Sequence, residues 1–158
     1  MITVTQFDPS FANQMPTISA LLTVAGLYLH DTVTAVTLHG SRGPQGGPRR
    51  DSDLDLCLVV GNDALAASAD PEMLLRSVLA DTLRHWTSEI ELDLAAVYDK
   101  SHCGLRCLNE TGHNPDLCPT TVDCMGLSKT QEGFDGFVTG PAIDCSKMYP
   151  LWSKHAAQ

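Results

Sequence analysis

Leu38-His39-Gly40-Ser41 and Asp53-Leu54-Asp55-Leu56 form the stretch that decides how this chain is organised, with eleven residues between Ser41 and Asp53. The β-branched run Thr34–His39 predicts a strand that ends at the Gly-Ser turn. The Asp-Leu-Asp-Leu run predicts a second strand. Alternate side chains of a strand share one face, so we expect both aspartates on one face and the leucines on the other.

The two aspartates and the turn together indicate a site for a metal ion and a nucleotide. Two carboxylates held this close repel each other unless a cation lies between them, and oxygen ligands of this kind suit Mg²⁺. Gly40 and Ser41 offer backbone N–H groups and a hydroxyl as donors for phosphate oxygens. Arg42 is the arginine best placed for a triphosphate. Arg49 and Arg50 either bind phosphate as well or only offset the nearby acidic residues.

This pattern resembles the signature of the DNA polymerase β-like nucleotidyltransferases, in particular their minimal single-domain members. The signature is an apolar strand, Gly-Ser, a loop and Asp-x-Asp, which here are Gly40-Ser41 and Asp53-Leu54-Asp55. The family also carries a third carboxylate on a later strand, and the predicted strand Glu89–Tyr98 offers one. The resemblance implies Asp93, because apolar residues flank it on both sides, and Glu91 is the rival.

The resemblance covers residues 16–98 and implies a fold for them. That fold is an α/β (α+β) domain in which helices flank a mixed β-sheet. We expect residues 1–158 to form this one nucleotidyltransferase-like domain, since the length is that of a single ordinary domain. Residues 99–158 depart from the family pattern and are an atypical extension.

The resemblance also implies a chemistry. Asp53, Asp55 and Asp93 would be catalytic and would hold one or two Mg²⁺ ions, with a two-metal mechanism as the family's form. The residues implied to bind the nucleotide, ATP or another nucleoside triphosphate, are Gly40, Ser41 and Arg42. His39, which precedes the turn, is either structural or in contact with the substrate.

The acceptor is left open by the sequence. The expected reaction transfers a nucleoside monophosphate, AMP when ATP is the donor, to a hydroxyl and releases pyrophosphate. Minimal relatives include antitoxins that adenylylate a toxin, so we expect an acceptor on a partner protein. Larger relatives modify aminoglycosides, which is the small-molecule alternative. A non-catalytic nucleotide- or protein-binding module is the other alternative, and three clustered carboxylates argue against it.

Composition restricts the partners. Apolar residues make up 43% of the chain and charged residues 18%, which is typical of a soluble globular protein. The net charge of −9 argues against extended binding to nucleic acid and favours a basic partner or a cationic substrate. We see no apolar run of about 20 residues and no signal peptide, so we expect a cytoplasmic protein without a membrane segment.

Helix signals appear at two places outside the central stretch. Residues 1–15 are predicted to be irregular, and apolar spacing through Leu29 predicts a helix that begins at Pro16 and ends at His30-Asp31. Asp70 followed by Pro71 predicts the capped start of a second helix. The stripe of this helix that we expect in the core is Leu75, Val78, Leu79, Leu83 and Trp86.

The extension carries five of the six cysteines. Their spacing is irregular and contains no Cys-x-x-Cys pair, so we expect free thiols rather than a zinc site. Thr121–Leu127 and Gly136–Thr139 are predicted to be further strands. Met148–Trp152 is predicted to be an aromatic anchor that docks the C-terminal segment on the core.

Overall fold

A computed structural model describes residues 1–39, 42, 52–100, 125–129, 136–139 and 149–154. Within these residues the helices and strands follow in the order β1 (Ile2–Val4), α1 (Pro9–Gln14), α2 (Pro16–Ala25), β2 (Leu27–Leu29), β3 (Val33–His39), β4 (Leu54–Val60), α3 (Asn62–Ala67), α4 (Pro71–His85), β5 (Leu92–Asp99), β6 (Met125–Lys129), β7 (Gly136–Thr139) and β8 (Tyr149–Ser153).

The main sheet has mixed pairing. Its described strands lie in the order β7-β6-β5-β4-β3-β8. β4 and β5 pair in parallel, and the other neighbours in this sheet pair antiparallel. A parallel pair needs a crossover, which α3 and α4 provide between β4 and β5. The predicted fold class, a mixed sheet with helices, is therefore confirmed.

The two faces of the sheet differ in chemistry. Even-numbered side chains of the central strands pack with helices α2 and α4 in one buried cluster. The strand members of that cluster include Val36, Leu38, Leu54, Leu56, Leu58, Leu92 and Leu94. Because side chains alternate along a strand, His39, Asp55 and Asp93 lie on the opposite face, called here the acidic face.

The first helix of the prediction is too long. α2 begins at Pro16 as expected but ends at Ala25, because Gly26 has a φ of 86°, outside the helical region. Leu27–Leu29 then forms β2, which pairs antiparallel with β1. The expectation of an irregular start was also wrong, since residues 1–15 contain β1 and α1.

The site strands are close to the prediction but differ at their starts. β3 begins one residue earlier than expected, and β4 begins at Leu54, so Asp53 immediately precedes the strand. β5 begins at Leu92 rather than Glu89. The residues before it turn instead: the Trp86 indole N–H donates to the Ile90 carbonyl at 2.9 Å.

α4 confirms the predicted capped start. Asp70 Oδ1 accepts from the Met73 N–H at 3.2 Å, and Pro71 is the first helical residue. The stripe differs at one position, since Leu83 is 41% exposed and Thr82 is buried in its place. The Thr82 hydroxyl donates to the Tyr28 carbonyl at 2.7 Å, which ties α4 to β2. Trp86 packs against the core, as expected.

The later strands meet the prediction in part. β7 has the predicted bounds. β6 ends at Lys129, two residues later than the predicted Thr121–Leu127, of which residues 121–124 lie outside the described residues. The aromatic anchor is confirmed for its described residues: Tyr149 and Trp152 are buried, and β8 pairs with β3. Among the described residues no helix has both the length and the apolar character needed to cross a membrane.

Candidate functional site

Three carboxylates meet on the acidic face, where β4 and β5 begin. Parallel pairing places Asp55 directly beside Asp93, and Asp53 immediately precedes β4. Carboxylate oxygens of the three residues, one from each, all lie within 4.8 Å of one another. We call Asp53, Asp55 and Asp93 the acid cluster. The structure thus brings together the three acids that the sequence singled out.

Burial of the alternate leucines fixes this arrangement. Leu54 and Leu92 are paired and buried on the helix-bearing face, which forces Asp55 and Asp93 to the other side. The Leu54 N–H donates to the Glu91 carbonyl at 2.8 Å, which aligns the two strand starts. Glu91 itself is exposed and does not belong to the acid cluster. The geometry therefore favours Asp93 over its rival.

Lys129, a residue that the sequence analysis did not predict for this site, contacts the acid cluster. Lys129 Nζ lies 2.7 Å from Asp93 Oδ1, and the two side chains are only 21% and 19% exposed. Lys129 ends β6, the strand on the other side of β5 from β4. Its distance from Asp93 in sequence leaves no local signal, because only the pairing of β5 with β6 brings the two together.

The environment of the acid cluster raises the pKa of Asp55. Burial, a hydrogen bond with Asp93 and the negative charges of Asp53 and Asp93 raise the pKa of Asp55 from 3.8 to about 7, against the opposing charge of Lys129. A proton shared between neighbouring carboxyls relieves repulsion that a cation would also relieve. A metal ion bound at the acid cluster would therefore compete with this proton.

His39 lies beside the acid cluster at the end of β3. Its Cα pairs with that of Asp55, and its ring nitrogens lie 3.8 and 4.0 Å from the Cys57 sulfur. Burial lowers the pKa of His39, although the nearby charge of Asp93 opposes the shift. Burial likewise raises the pKa of Cys57 to about 12, so its thiol is protonated at neutral pH and a poor nucleophile.

Arg42 is the described part of the predicted phosphate-binding segment. Its Nε donates to the Ser52 carbonyl at 2.9 Å, so the guanidinium lies beside the residue that precedes Asp53. Gly40, Ser41 and the pair Arg49-Arg50 lie outside the described residues. The five cysteines of the extension lie outside them as well, so the expectation of free thiols stays a prediction.

The donor set of the acid cluster fits Mg²⁺. All three candidate ligands are carboxylates, the hard oxygen donors that Mg²⁺ accepts, and none supplies nitrogen or sulfur. Each of the three is partly exposed, which leaves room for the water and phosphate oxygens that usually complete the octahedral shell of Mg²⁺. A softer ion such as zinc would gain less from this set.

A described cavity lies away from the acid cluster. It has a volume of about 650 Å³ and is lined by residues at the C-terminal ends of β4 and β5, including Asn62, Tyr98 and Lys100. The acid cluster is at the opposite ends of these strands.

Comparisons of the chain with models of protein families, with curated proteins and with solved structures found no match. The resemblance to the polymerase β-like nucleotidyltransferases therefore stays a prediction. It rests on Gly40-Ser41 and on the spacing of the three aspartates.

Proposed function

We propose that this chain is a Mg²⁺-dependent nucleotidyltransferase. It would transfer a nucleoside monophosphate, AMP when ATP is the donor, to an acceptor hydroxyl. The observation that carries this proposal is that carboxylate oxygens of Asp53, Asp55 and Asp93 lie within 4.8 Å of one another where β4 and β5 begin. Repelling carboxylates on a rigid sheet weaken a protein unless they serve a ligand, and the ligand that suits them is a hard divalent cation.

Each residue would have a distinct task in the transfer. The acceptor oxygen forms a bond to the α-phosphorus while the bond from that phosphorus to the bridging oxygen breaks and pyrophosphate leaves. Asp93 would take the proton of the acceptor hydroxyl. Asp53 and Asp55 would hold Mg²⁺, which when bound supplies positive charge for the triphosphate. Arg42 would bind the departing pyrophosphate, with help from donors of the Gly-Ser turn.

The acceptor that we propose is a hydroxyl on a partner protein with a basic surface. The net charge of −9 supports this choice, because it would attract such a surface and speed the encounter at low salt. The partial exposure of the three carboxylates supports it as well, since a serine, threonine or tyrosine side chain of another molecule would reach them.

The first experiment measures transfer and binding together. Lysate of the host is incubated with Mg²⁺, α-labelled ATP and either wild-type protein or Asp53→Ala. A labelled protein band that falls at least about a hundredfold with Asp53→Ala supports the proposal. Thermal melts should show that Mg²⁺-ATP stabilises wild type and not the variant. A variant stabilised as much as wild type would exclude this metal site.

A matched pair of variants tests the third carboxylate. Asp93→Asn should slow transfer strongly and keep the stabilisation by Mg²⁺-ATP, because Asp53 and Asp55 still hold the nucleotide. Glu91→Gln is the control, since it changes an exposed side chain and keeps the carbonyl that bonds Leu54. Equal losses in the two variants would contradict the assignment of Asp93.

The acceptor is tested by the position of the label in the lysate experiment. Label found only on an aminoglycoside added to that lysate would contradict the protein acceptor and keep the proposed transferase activity.

A further inference from the structure

Lys129 lies against the acid cluster. Its ammonium contacts Asp93 Oδ1 at 2.7 Å, and about four-fifths of each side chain is withdrawn from solvent. Lys129 pairs with Gly136 of β7, while the preceding Ser128 pairs with Ala96 of β5. The backbone that carries the ammonium is therefore held within the sheet.

We propose that Lys129 is a fixed counter-ion that limits the acid cluster to one divalent cation. The proposal deepens the proposed function and rests on it, because it takes the acid cluster to be the metal site. It assigns to Lys129 a positioning role: the ammonium holds Asp93 in place and occupies the side of that carboxylate where a second ion would bind.

The net charge of the acid cluster with Lys129 favours a single divalent cation. Three ionised carboxylates and one ammonium carry two net negative charges, which a single divalent cation neutralises. A second divalent cation would leave the partly buried cluster with two net positive charges before any nucleotide arrived. At effective interior dielectric constants, unit charges about 4 Å apart repel by about 4 kcal/mol, so this excess is costly.

The number of available carboxylate oxygens also favours a single ion. Sites for two metal ions hold them about 3.5–4 Å apart and need carboxylate oxygens for both. Oδ1 of Asp93 already contacts the Lys129 ammonium, so the other carboxylate oxygen of Asp93 remains for one ion. Breaking a largely buried ion pair is costly as well, because it leaves a desolvated charge without its partner. Lys129 is therefore hard to displace.

Counting bound Mn²⁺ tests the proposal without nucleotide or activity. Free Mn²⁺ is measured by electron paramagnetic resonance during titration of wild type, Lys129→Met and Lys129→Arg. We expect one Mn²⁺ per chain for wild type and for Lys129→Arg, which keeps the charge, and two for Lys129→Met. Lys154→Met is the matched control: it removes the same charge beside Asp31, far from the cluster, and should bind as wild type does.

The count in wild type decides the proposal even if a variant folds poorly. Two Mn²⁺ ions per wild-type chain, both lost in Asp53→Ala, would overturn the role of Lys129 and keep the metal site. One ion in Lys129→Met, with far-ultraviolet circular dichroism unchanged, would also overturn it. Mn²⁺ binding that is the same in wild type and Asp53→Ala would instead overturn the metal site, and the proposed function with it.

Discussion

Ionisation of Asp55 should lower the free energy of unfolding of the metal-free protein by a measurable amount. Its pKa is raised from 3.8 to about 7 in the folded chain, so over this range the native state binds a proton that the unfolded state has released. The free energy of unfolding should therefore fall as the pH rises from about 4 to about 7. Urea titrations at several pH values should show this slope, and Asp55→Asn should flatten it.

A second acidic residue provides the control for this slope. Asp63 is exposed in the first turn of α3, and Asp63→Asn should keep the wild-type pH dependence. Saturating Mg²⁺ should reduce the loss of stability near pH 7, because the ion binds the ionised carboxylate that the proton otherwise neutralises. A wild-type slope in Asp55→Asn would mean that other groups produce it.

Residues of the site differed in how well the sequence could predict them. Asp55 and Asp93 could be predicted because each follows a leucine whose burial fixes the face of the strand. Lys129 was not, because the predicted strand ended at Leu127 and the ion pair depends on which strands are neighbours. Pairing between segments distant in sequence depends on how the whole chain packs, which a local pattern of residues does not encode.

Gly26 determines where α2 ends. Its φ of 86° is unfavourable for other residues, and an added Cβ would lie 2.9 Å from Tyr28 Cε2. Gly26→Ala should therefore lower the free energy of unfolding by about 1–3 kcal/mol, measured by urea denaturation. Gly61→Ala is the control, since Gly61 has a φ of −65° and its Cβ would meet Thr34 Cγ2 at 3.3 Å. Equal losses would contradict this explanation.

Two leucines of α4 should respond differently to the same truncation. Leu79 is 1% exposed and lies in the core cluster, so Leu79→Ala should cost about 2–5 kcal/mol of stability. Leu83 is 41% exposed, so Leu83→Ala should change stability by less than about 1 kcal/mol. Thermal denaturation of both variants provides the comparison, and a similar loss in each would mean that Leu83 is covered in solution.

The elements show why helix ends were harder to predict than helix starts. Asp70 and Pro71 carry a chemical signal, a side-chain acceptor and a fixed φ, that acts within one turn. Leu29 lies four residues after Ala25 and so continues the helical spacing by coincidence. Its burial in β2 depends on pairing with β1, and three residues are too few for an alternating pattern to be distinguished from a helical one.

The described core joins elements from both ends of the chain, which predicts one cooperative unfolding transition. Val4 of β1 and Leu151 of β8 belong to the same buried cluster. Trp86 at the end of α4 and Trp152 in β8 are probes in separate elements. Trp86→Phe and Trp152→Phe each leave one tryptophan, whose fluorescence should report the midpoint given by circular dichroism of the same variant. Separate midpoints within a variant would contradict a single domain.

The crossover between β4 and β5 also makes the chain suitable for engineering. Ala69 is exposed in the connection between α3 and α4, near the C-terminal end of β4. That end lies about 20 Å along the strand from the acid cluster. A reporter domain inserted beside Ala69, on the α3 side of the Asp70 cap, would leave the Leu54–Leu92 pairing unchanged. The same loop could carry new termini in a circular permutant, with the three carboxylates kept in place by the sheet.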